Sequence, residues 1–455
     1  MTPPLPPQNT PPAPPIAVDL LITARWVLPM APHGACLEHH AVVVDQGRIL
    51  DLLPIAAARS LYAPREQSDL GEHALIPGLV NAHAHGAMNL LRGYGDDLPL
   101  LRWLRERIWP AEAEHLSEAF VHTGTLLAAR EMLRGGVTCV NDMYFYPAAM
   151  ARAYLDTGLR AIVGLIVIDF PTRYGAGPDD YLARGLASRD RFRDEPTLRF
   201  SLAPHAPYTV GDAALLRVAA LAEELDLGIH THLHETRSEI AEHLSAHGCR
   251  PLARLHRLGL LSSRLAAVHA VHLEDTEIAL LAHHGASVVH CPASNLKLAS
   301  GFAPAARLLA AGVNVALGTD GAASNNRVDL LSETRLASLL AKGVSGDASA
   351  WDAHASLRAA TLGGARALGL ESRIGSIEPG KQADLTAIKL SAEELQPLHD
   401  PAARIVYSAG REHVDAVWVA GHARVRGGCL TAEMPAGLEA TVCMWQNRLV
   451  SSRIH

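Results

Sequence analysis

The sequence of 455 residues has no run of about 18 uninterrupted apolar residues, so no membrane-spanning helix is expected. Its six cysteines are scattered without a CxxC pair, which is typical of a cytoplasmic protein and argues against a disulfide framework. A net charge of −7 leaves no excess of basic residues for binding nucleic acid or an anionic membrane. The hydrophobic fraction of 49% excludes a largely disordered chain and predicts a large buried core.

Two kinds of short motif are also absent. Residues 1–15 are rich in proline but lack the basic and apolar segments of a signal peptide, so we interpret them as a disordered leader. Neither G-x-G-x-x-G nor G-x-x-x-x-G-K-S/T follows the apolar strand predicted over 77–83, which argues against a nucleotide cofactor.

Most of the chain alternates between apolar strands and segments with helical periodicity. Eight such alternations predict an α/β fold of the (β/α)8 TIM-barrel type, although an open doubly wound sheet would give the same pattern. The eight predicted strands are 77–83, 137–143, 160–168, 198–204, 228–232, 265–270, 286–291 and 313–319.

Short β-rich stretches lie at both ends of the chain. We expect them to form one small composite β-sandwich domain, assembled from 16–75 and 373–430, beside a catalytic barrel over 76–372. Residues 431–455 carry a helical pattern and are predicted to form a C-terminal tail.

Histidines and carboxylates recur where the predicted strands end. His83 and His85, in "PGLVNAHAHG", are two residues apart at the end of the first strand and therefore share one face, a pairing that suits zinc. The fifth strand is followed by His232 and Glu235, the sixth ends at His269, and the eighth ends at Asp320, giving this set of groups: His83, His85, His232, Glu235, His269 and Asp320. Because the carboxyl ends of barrel strands meet at one face, we expect these groups to converge.

The chain resembles the amidohydrolase superfamily, and within it the branch of 5′-methylthioadenosine/S-adenosylhomocysteine deaminases and triazine hydrolases. The motifs that carry the resemblance are "PGLVNAHAH", "HLHET", "HCPASNLKLASG", "GTDGAASNN" and "GSIEPGKQADL", and it covers nearly everything after residue 16. It implies that one divalent metal, zinc or else iron(II) or manganese(II), is held by His83, His85, His232 and Asp320. It also implies that Glu235, His269 and Asp320 are the catalytic residues.

The lysines support a single metal independently. Two-metal relatives bridge their ions with a carboxylated lysine on the fourth strand, and this chain has no lysine before the fifth strand; its four are Lys297, Lys342, Lys381 and Lys389. The end of the fourth strand carries His205 instead.

Several other residues compete for these roles. Spacing alone does not separate His230 and His234 from His232, because all three share a face if the strand continues. His290 is equally compatible with the site and with the core, whereas His272 is expected to face a loop and Asp142 to be a structural hydrogen-bond acceptor. The pairs at 39–40 and 283–284 are expected at the surface.

For the substrate, the resemblance implies that Glu112 accepts hydrogen bonds from both ribose hydroxyls, although Glu114 competes on sequence alone. Glu235 and His205 would contact the nucleoside as well. Relatives that accept the charged S-adenosylhomocysteine tail carry two arginines in and after the third strand. Here the strand interior, "AIVGLIVID", has no arginine, and Arg173 is the one candidate replacement. We therefore expect deamination of 5′-methylthioadenosine, and also adenosine, in preference to S-adenosylhomocysteine.

The same constellation allows other functions. A triazine or guanine aminohydrolase, or a chlorohydrolase, would keep the metal and change the leaving group. A non-catalytic metal-bound barrel would be expected to have lost ligands, and this chain retains them all. A third possibility is a binding role for the leader as a polyproline ligand. The resemblance further implies a homo-oligomer, a dimer or a tetramer, acting on a small nucleoside and water.

Overall fold

The computed structural model describes residues 14–451 and contains two sheets. Residues 1–13, and with them most of the predicted leader, lie outside this range. One sheet has eight strands in the order β13-β12-β11-β10-β9-β8-β7-β6, and every pairing in it is parallel. The other has nine strands and joins both ends of the chain. The predicted barrel with a second sheet built from the chain ends is therefore confirmed.

The parallel sheet follows the predicted strands to within two residues at each end. Its strands are β6 Leu79–Ala84, β7 Val137–Tyr144, β8 Arg160–Val167, β9 Leu198–Pro204, β10 Gly228–Leu233, β11 Leu265–His269, β12 Ser287–His290 and β13 Asn314–Leu317. All residues of β7 and β8 are buried, because helices cover the outside and side chains fill the inside. This double burial is the reason why the strands read as continuous apolar runs.

The second sheet runs β17-β16-β15-β14-β5-β1-β2-β3, with β4 paired to β1. Its strands are β1 Ile16–Val27, β2 Leu37–Asp45, β3 Arg48–Pro54, β4 Tyr62–Asp69, β5 His73–Pro77, β14 Leu385–Lys389, β15 Val414–Val419, β16 His422–Arg426 and β17 Cys429–Leu430. Strand β5 leads straight into β6 through Gly78, so the two sheets are joined where the barrel begins.

Helices occupy the connections between barrel strands and also occur before β6 and after β13. They are α1 Ile55–Leu61, α2 Leu100–Trp103, α3 Trp109–His115, α4 Glu118–Arg134, α5 Pro147–Thr157, α6 Pro178–Phe192, α7 Asp212–Glu224, α8 Arg237–His247, α9 Pro251–Arg257, α10 Asp275–His284, α11 Pro292–Lys297, α12 Ala305–Ala310, α13 Ala322–Asn325, α14 Leu330–Ser345, α15 Ala353–Arg358, α16 Gly364–Ala367, α17 Pro401–Tyr407 and α18 Leu438–Ser451. Shorter 3-10 or π-helical turns are Gly86–Leu91, Leu104–Ile108, Ala359–Gly363, Glu393–Leu395 and Arg411–His413. Between residues 14 and 451, no helix combines the length and apolar character that a membrane crossing needs.

A buried ion pair connects the two sheets. Arg160 lies at the start of β8, and Asp384 lies just before β14. The Arg160 guanidinium donates to both carboxylate oxygens of Asp384, at 2.8 and 3.0 Å. Both side chains are at most 5% exposed. Asp384 also accepts from the backbone N–H of Ala420, so the pair holds the barrel against the loop between β15 and β16.

Candidate active site

The first and last barrel strands meet at the predicted metal ligands. Residue Asp320 follows β13 and forms an isolated parallel bridge with Ala84 of β6, and its N–H donates to the carbonyl of His83. A Cβ atom on Gly318 would lie 2.8 Å from the Cβ of His83, so only glycine lets these strands approach so closely. The closure of the barrel thus places Asp320 beside His83 and His85.

Imidazole nitrogens and one carboxylate oxygen converge at this point. Asp320 Oδ1 lies 3.3 Å from Nε2 of His83 and 3.3 Å from Nε2 of His85. Two groups, His83–His85–His232 and His83–His269–Asp320, each have their potential ligand atoms within 4.8 Å of one another. Tetrahedral ligands about 2.1 Å from a zinc ion are separated by about 3.4 Å, so the spacing suits such an ion.

The outward-facing nitrogens of these histidines are already occupied. His85 Nδ1 donates to the Met143 carbonyl at 2.6 Å, and His232 Nδ1 donates to the His205 carbonyl at 2.7 Å. His83 Nδ1 lies 2.8 Å from Nε2 of His230. Such contacts fix the tautomer and direct the Nε2 lone pair inward, as in metal-binding histidines. Among residues 14–451, His83 Nε2 is buried and has no hydrogen-bond partner, as expected of a nitrogen placed to bind a cation.

Hydrogen bonds hold the Asp320 carboxylate in one orientation. The hydroxyls of Ser294 and Ser324 donate to Oδ2 at 2.6 and 2.8 Å, and the Gly321 N–H donates to Oδ1 at 2.8 Å. Burial raises the pKa of Asp320, but the neighbouring His83 and His85 outweigh it and hold the pKa well below its usual value. Its backbone φ of +59° is in the left-handed region, a strain often found at functional sites.

A second pair of groups lies beside the metal ligands. His269 Nε2 is 3.7 Å from Oε2 of Glu235, and Ser300 Oγ donates to Oε1 at 3.1 Å. Burial raises the pKa of Glu235, so its neutral form persists to a higher pH. Burial lowers the pKa of His269, but the Glu235 and Asp320 carboxylates reverse this and raise it overall. Asn295 Oδ1 accepts from His269 Nδ1 at 2.8 Å and fixes the ring.

One cavity of about 530 Å³ opens above these groups. Its walls are mainly apolar and aromatic, and include Trp103, Leu104, Ile108, Trp109, Phe145, Ile166 and Phe170. The predicted substrate residues Glu112, His205 and Arg173 also line it, together with Glu235. Arg173 is exposed at the mouth, whereas burial lowers the pKa of His205 to about 3 and keeps that ring neutral.

The structure shows which of the two candidate glutamates, Glu112 or Glu114, lines the cavity. Glu112 lines the cavity, where its Oε1 accepts from the hydroxyl of Tyr144 at 2.7 Å, and burial raises its pKa to about 7. Glu114 is exposed and lies 3.7 Å from His115.

The structure also shows where the other candidate histidines lie. His230 lies behind His83, and His234 turns away to accept from the Leu252 N–H at 3.0 Å. His272 contacts the Ser300 carbonyl in a loop, as expected. His290 is buried but does not line the cavity, and its Nδ1 has no partner among the described residues. The pairs at 39–40 and 283–284 are exposed or half-buried.

Asp142 is a structural acceptor, as predicted. Its carboxylate accepts from the Gly86 N–H at 2.9 Å and from the Tyr154 hydroxyl at 2.6 Å. Since Gly86 directly follows His85, these bonds hold the backbone that carries a predicted metal ligand.

Sequence reasoning missed the residues that orient the site. Ser294, Asn295 and Ser300 lie within "HCPASNLKLASG", and Ser324 lies within "GTDGAASNN", so the motifs contained them without revealing their roles. Tyr144 had no such signal, because it reads as one more residue at the end of an apolar strand.

Comparison with known proteins adds independent findings. The amidohydrolase family model matches residues 74–424. The 5-methylthioadenosine/S-adenosylhomocysteine deaminase of Teredinibacter turnerae is 45% identical over 436 residues, which are 96% of this chain and 99% of that protein. The crystal structure of an adenosine deaminase from Xanthomonas campestris with bound zinc is 52% identical and superposes with a TM-score of 0.95, covering 96% of this chain and 100% of that one. Atrazine chlorohydrolase from Arthrobacter aurescens, 24% identical with a TM-score of 0.87 over 94% of this chain and 100% of that one, shares the fold.

Proposed function

Because the chain belongs to the amidohydrolase family, we propose that it removes the amino group of an adenine nucleoside by hydrolysis, releasing ammonia and the corresponding inosine. The preferred substrate is 5′-methylthioadenosine, with adenosine and S-adenosylhomocysteine as further substrates. Relatives named as deaminases of these nucleosides support this proposal. The observation that carries it is the joining of the histidine–aspartate cluster, the Glu235–His269 pair and Glu112 by a single cavity.

One divalent cation, zinc, is assigned to His83, His85, His232 and Asp320. When bound, such a cation lowers the pKa of a water molecule from 15.7 to about 7, which makes a nucleophile available at neutral pH. The inward Nε2 atoms and the unpartnered Nε2 of His83 support this ligand set. His269 Nε2 faces Glu235 and is assigned to proton transfer instead.

The chain's own groups then move protons around the reacting carbon. Asp320 accepts a proton as water attacks the carbon that bears the amino group. Glu235, whose pKa is raised by burial, donates its proton to the adjacent ring nitrogen and makes the ring electrophilic. His269 hydrogen-bonds the new hydroxyl. Asp320 returns its proton to the amino group, ammonia departs, and the hydroxyl proton passes to Glu235 as the carbonyl of the inosine forms. General acid and base groups of this kind each contribute about 10²–10⁴-fold to the rate.

Two further residues that line the cavity recognise the nucleoside. Glu112 accepts hydrogen bonds from the two ribose hydroxyls, and neutral His205 hydrogen-bonds the nucleoside from the end of β9. A carboxylate facing a diol selects nucleosides over free bases, which have no hydroxyls to satisfy it.

The apolar walls favour an uncharged 5′ substituent. Arg173 is the one arginine or lysine side chain among the described residues that line the cavity, and it lies at the exposed mouth. A methylthio group would bury its apolar surface against such walls, whereas a zwitterionic homocysteine tail would need charged partners. We therefore assign the higher specificity constant to 5′-methylthioadenosine.

The test combines metal analysis with an ultraviolet assay on purified protein. We expect about one zinc per chain, and kcat/KM in the order 5′-methylthioadenosine, adenosine, S-adenosylhomocysteine. Guanine and a chlorinated triazine serve as alternative substrates, with ammonia and chloride measured separately. Turnover of either of these alone would replace the proposal with another hydrolase activity, and zinc without any turnover would favour a non-catalytic barrel. Light scattering tests the proposed dimer or tetramer.

A further inference from the structure

A hydrogen bond joins a strand residue and a helix residue that both line the cavity. Tyr144 Oη, at the end of β7, donates to Oε1 of Glu112 on α3 at 2.7 Å. No lysine, arginine or histidine between residues 14 and 451 forms an ion pair with Glu112, so this hydroxyl is its fixed side-chain partner. The bond leaves Oε2, and the second lone pair of Oε1, free for a ligand.

The two partners differ in how firmly the fold holds them. Tyr144 is only 2% exposed and lies on a strand that is buried throughout and paired with β8. Its ring packs edge-to-face against Phe145, with centroids 5.3 Å apart. Glu112 is half-buried on α3, which continues without a break from α2 and the π-helical turn Leu104–Ile108, so it lies on one irregular helical segment over 100–115. The tyrosine hydroxyl therefore ties the carboxylate to a strand that is buried throughout, in addition to the helical segment that carries it.

We propose that Tyr144 is a positioning residue that aims the Glu112 carboxylate at the ribose diol and so sets the selectivity for ribonucleosides. This inference rests on the proposed function, because it concerns recognition of the nucleoside sugar. Tyr144 forms no hydrogen bond with Glu235, His269 or Asp320. Its contribution consequently falls on substrate binding and leaves the chemical step unchanged.

The test replaces Tyr144 with phenylalanine and compares adenosine with 2′,3′-dideoxyadenosine. We expect KM for adenosine to rise about ten-fold or more, because the Glu112 carboxylate loses the hydrogen bond that orients it. The kcat for adenosine should stay within about two-fold, and KM for the dideoxynucleoside should not change, because it has no diol to hold. The ring keeps its packing in Tyr144→Phe, and equal melting temperature and zinc content verify this.

Tyr174→Phe is the matched control. Its hydroxyl is buried without a hydrogen-bond partner in the described part of the chain, and its ring lies in the same aromatic cluster, 6.4 Å from Phe145. This variant should leave both KM values unchanged. In a Glu112→Gln background, Tyr144→Phe should add much less than its ten-fold effect, since the two residues act as one unit.

The outcomes distinguish the proposed deaminase function from the proposed role of Tyr144. Wild-type protein that deaminates no adenine nucleoside would overturn the proposed function and this inference together. Wild-type turnover, with Tyr144→Phe raising KM equally for both nucleosides or lowering kcat for both, would overturn the role of Tyr144 alone.

Discussion

Replacing Glu235 with glutamine tests the proposed proton donor most directly. The side chain is about 5% exposed, burial raises its pKa, and Ser300 Oγ donates to Oε1 at 3.1 Å. A glutamine has nearly the same shape and can still accept that hydrogen bond through its amide oxygen, so the cavity should persist. What disappears is the proton that the carboxyl group delivers to the ring nitrogen.

The expected loss follows from the general acid contribution. We expect kcat to fall by about 10²–10⁴-fold, which corresponds to about 3–5 kcal/mol of transition-state stabilisation. KM should change little, because the recognition groups stay in place. The ultraviolet assay at saturating nucleoside measures kcat, and zinc content measured on the same sample verifies that the metal cluster is intact.

Glu242→Gln is the matched control, because Glu242 is exposed on α8, which begins two residues after Glu235. It should retain the wild-type kcat. If Glu235→Gln kept its zinc and more than about one tenth of the wild-type kcat, Glu235 could not be the proton donor, and the mechanism would need a different acid.

Three further predictions address the metal, the sheet interface and the pH dependence. Chelation should abolish turnover and lower the melting temperature, and added zinc should restore both. The melting temperature falls because a ligand that binds only the folded state stabilises that state. Unchanged activity in metal-free protein would contradict the proposed metal ligands. Asp384→Ala should lower the free energy of unfolding by about 3–5 kcal/mol in urea titrations, since it leaves the buried Arg160 guanidinium with only the neutral acceptors of Gln382 and Pro196. Glu106→Ala breaks the exposed Arg102–Glu106 pair and should not measurably change the free energy of unfolding. If both variants lost the same free energy of unfolding, burial could not be the reason why the Arg160–Asp384 pair matters. KM for adenosine should rise as the pH falls below about 7, because Glu112, with its pKa raised to about 7, is then protonated and loses acceptor capacity; a similar rise for 2′,3′-dideoxyadenosine would argue against this origin.

The barrel strands were predictable because each one is buried on both faces. The match is close for β8, predicted over 160–168 and observed at Arg160–Val167. Strand β4 was missed because most of Tyr62–Asp69 is polar and exposed, and it is held by parallel pairing with β1, 46 residues away along the chain. A strand of this kind has no periodic apolar signal of its own.

The sequence by itself determined the alternation of buried strands with helices and the histidines and carboxylates near the strand ends, because apolar runs and the H-x-H spacing are local properties of the chain. Spacing alone did not distinguish His230, His232 and His234, and only the tertiary structure shows how their positions differ. Strand β10 ends at Leu233, and His234 has a φ of +53°, which turns its ring out of the shared face. His230 remains on the strand but lies deeper, against His83. Spacing assigns a face only while a strand continues, and where a strand stops is fixed by its neighbours in space.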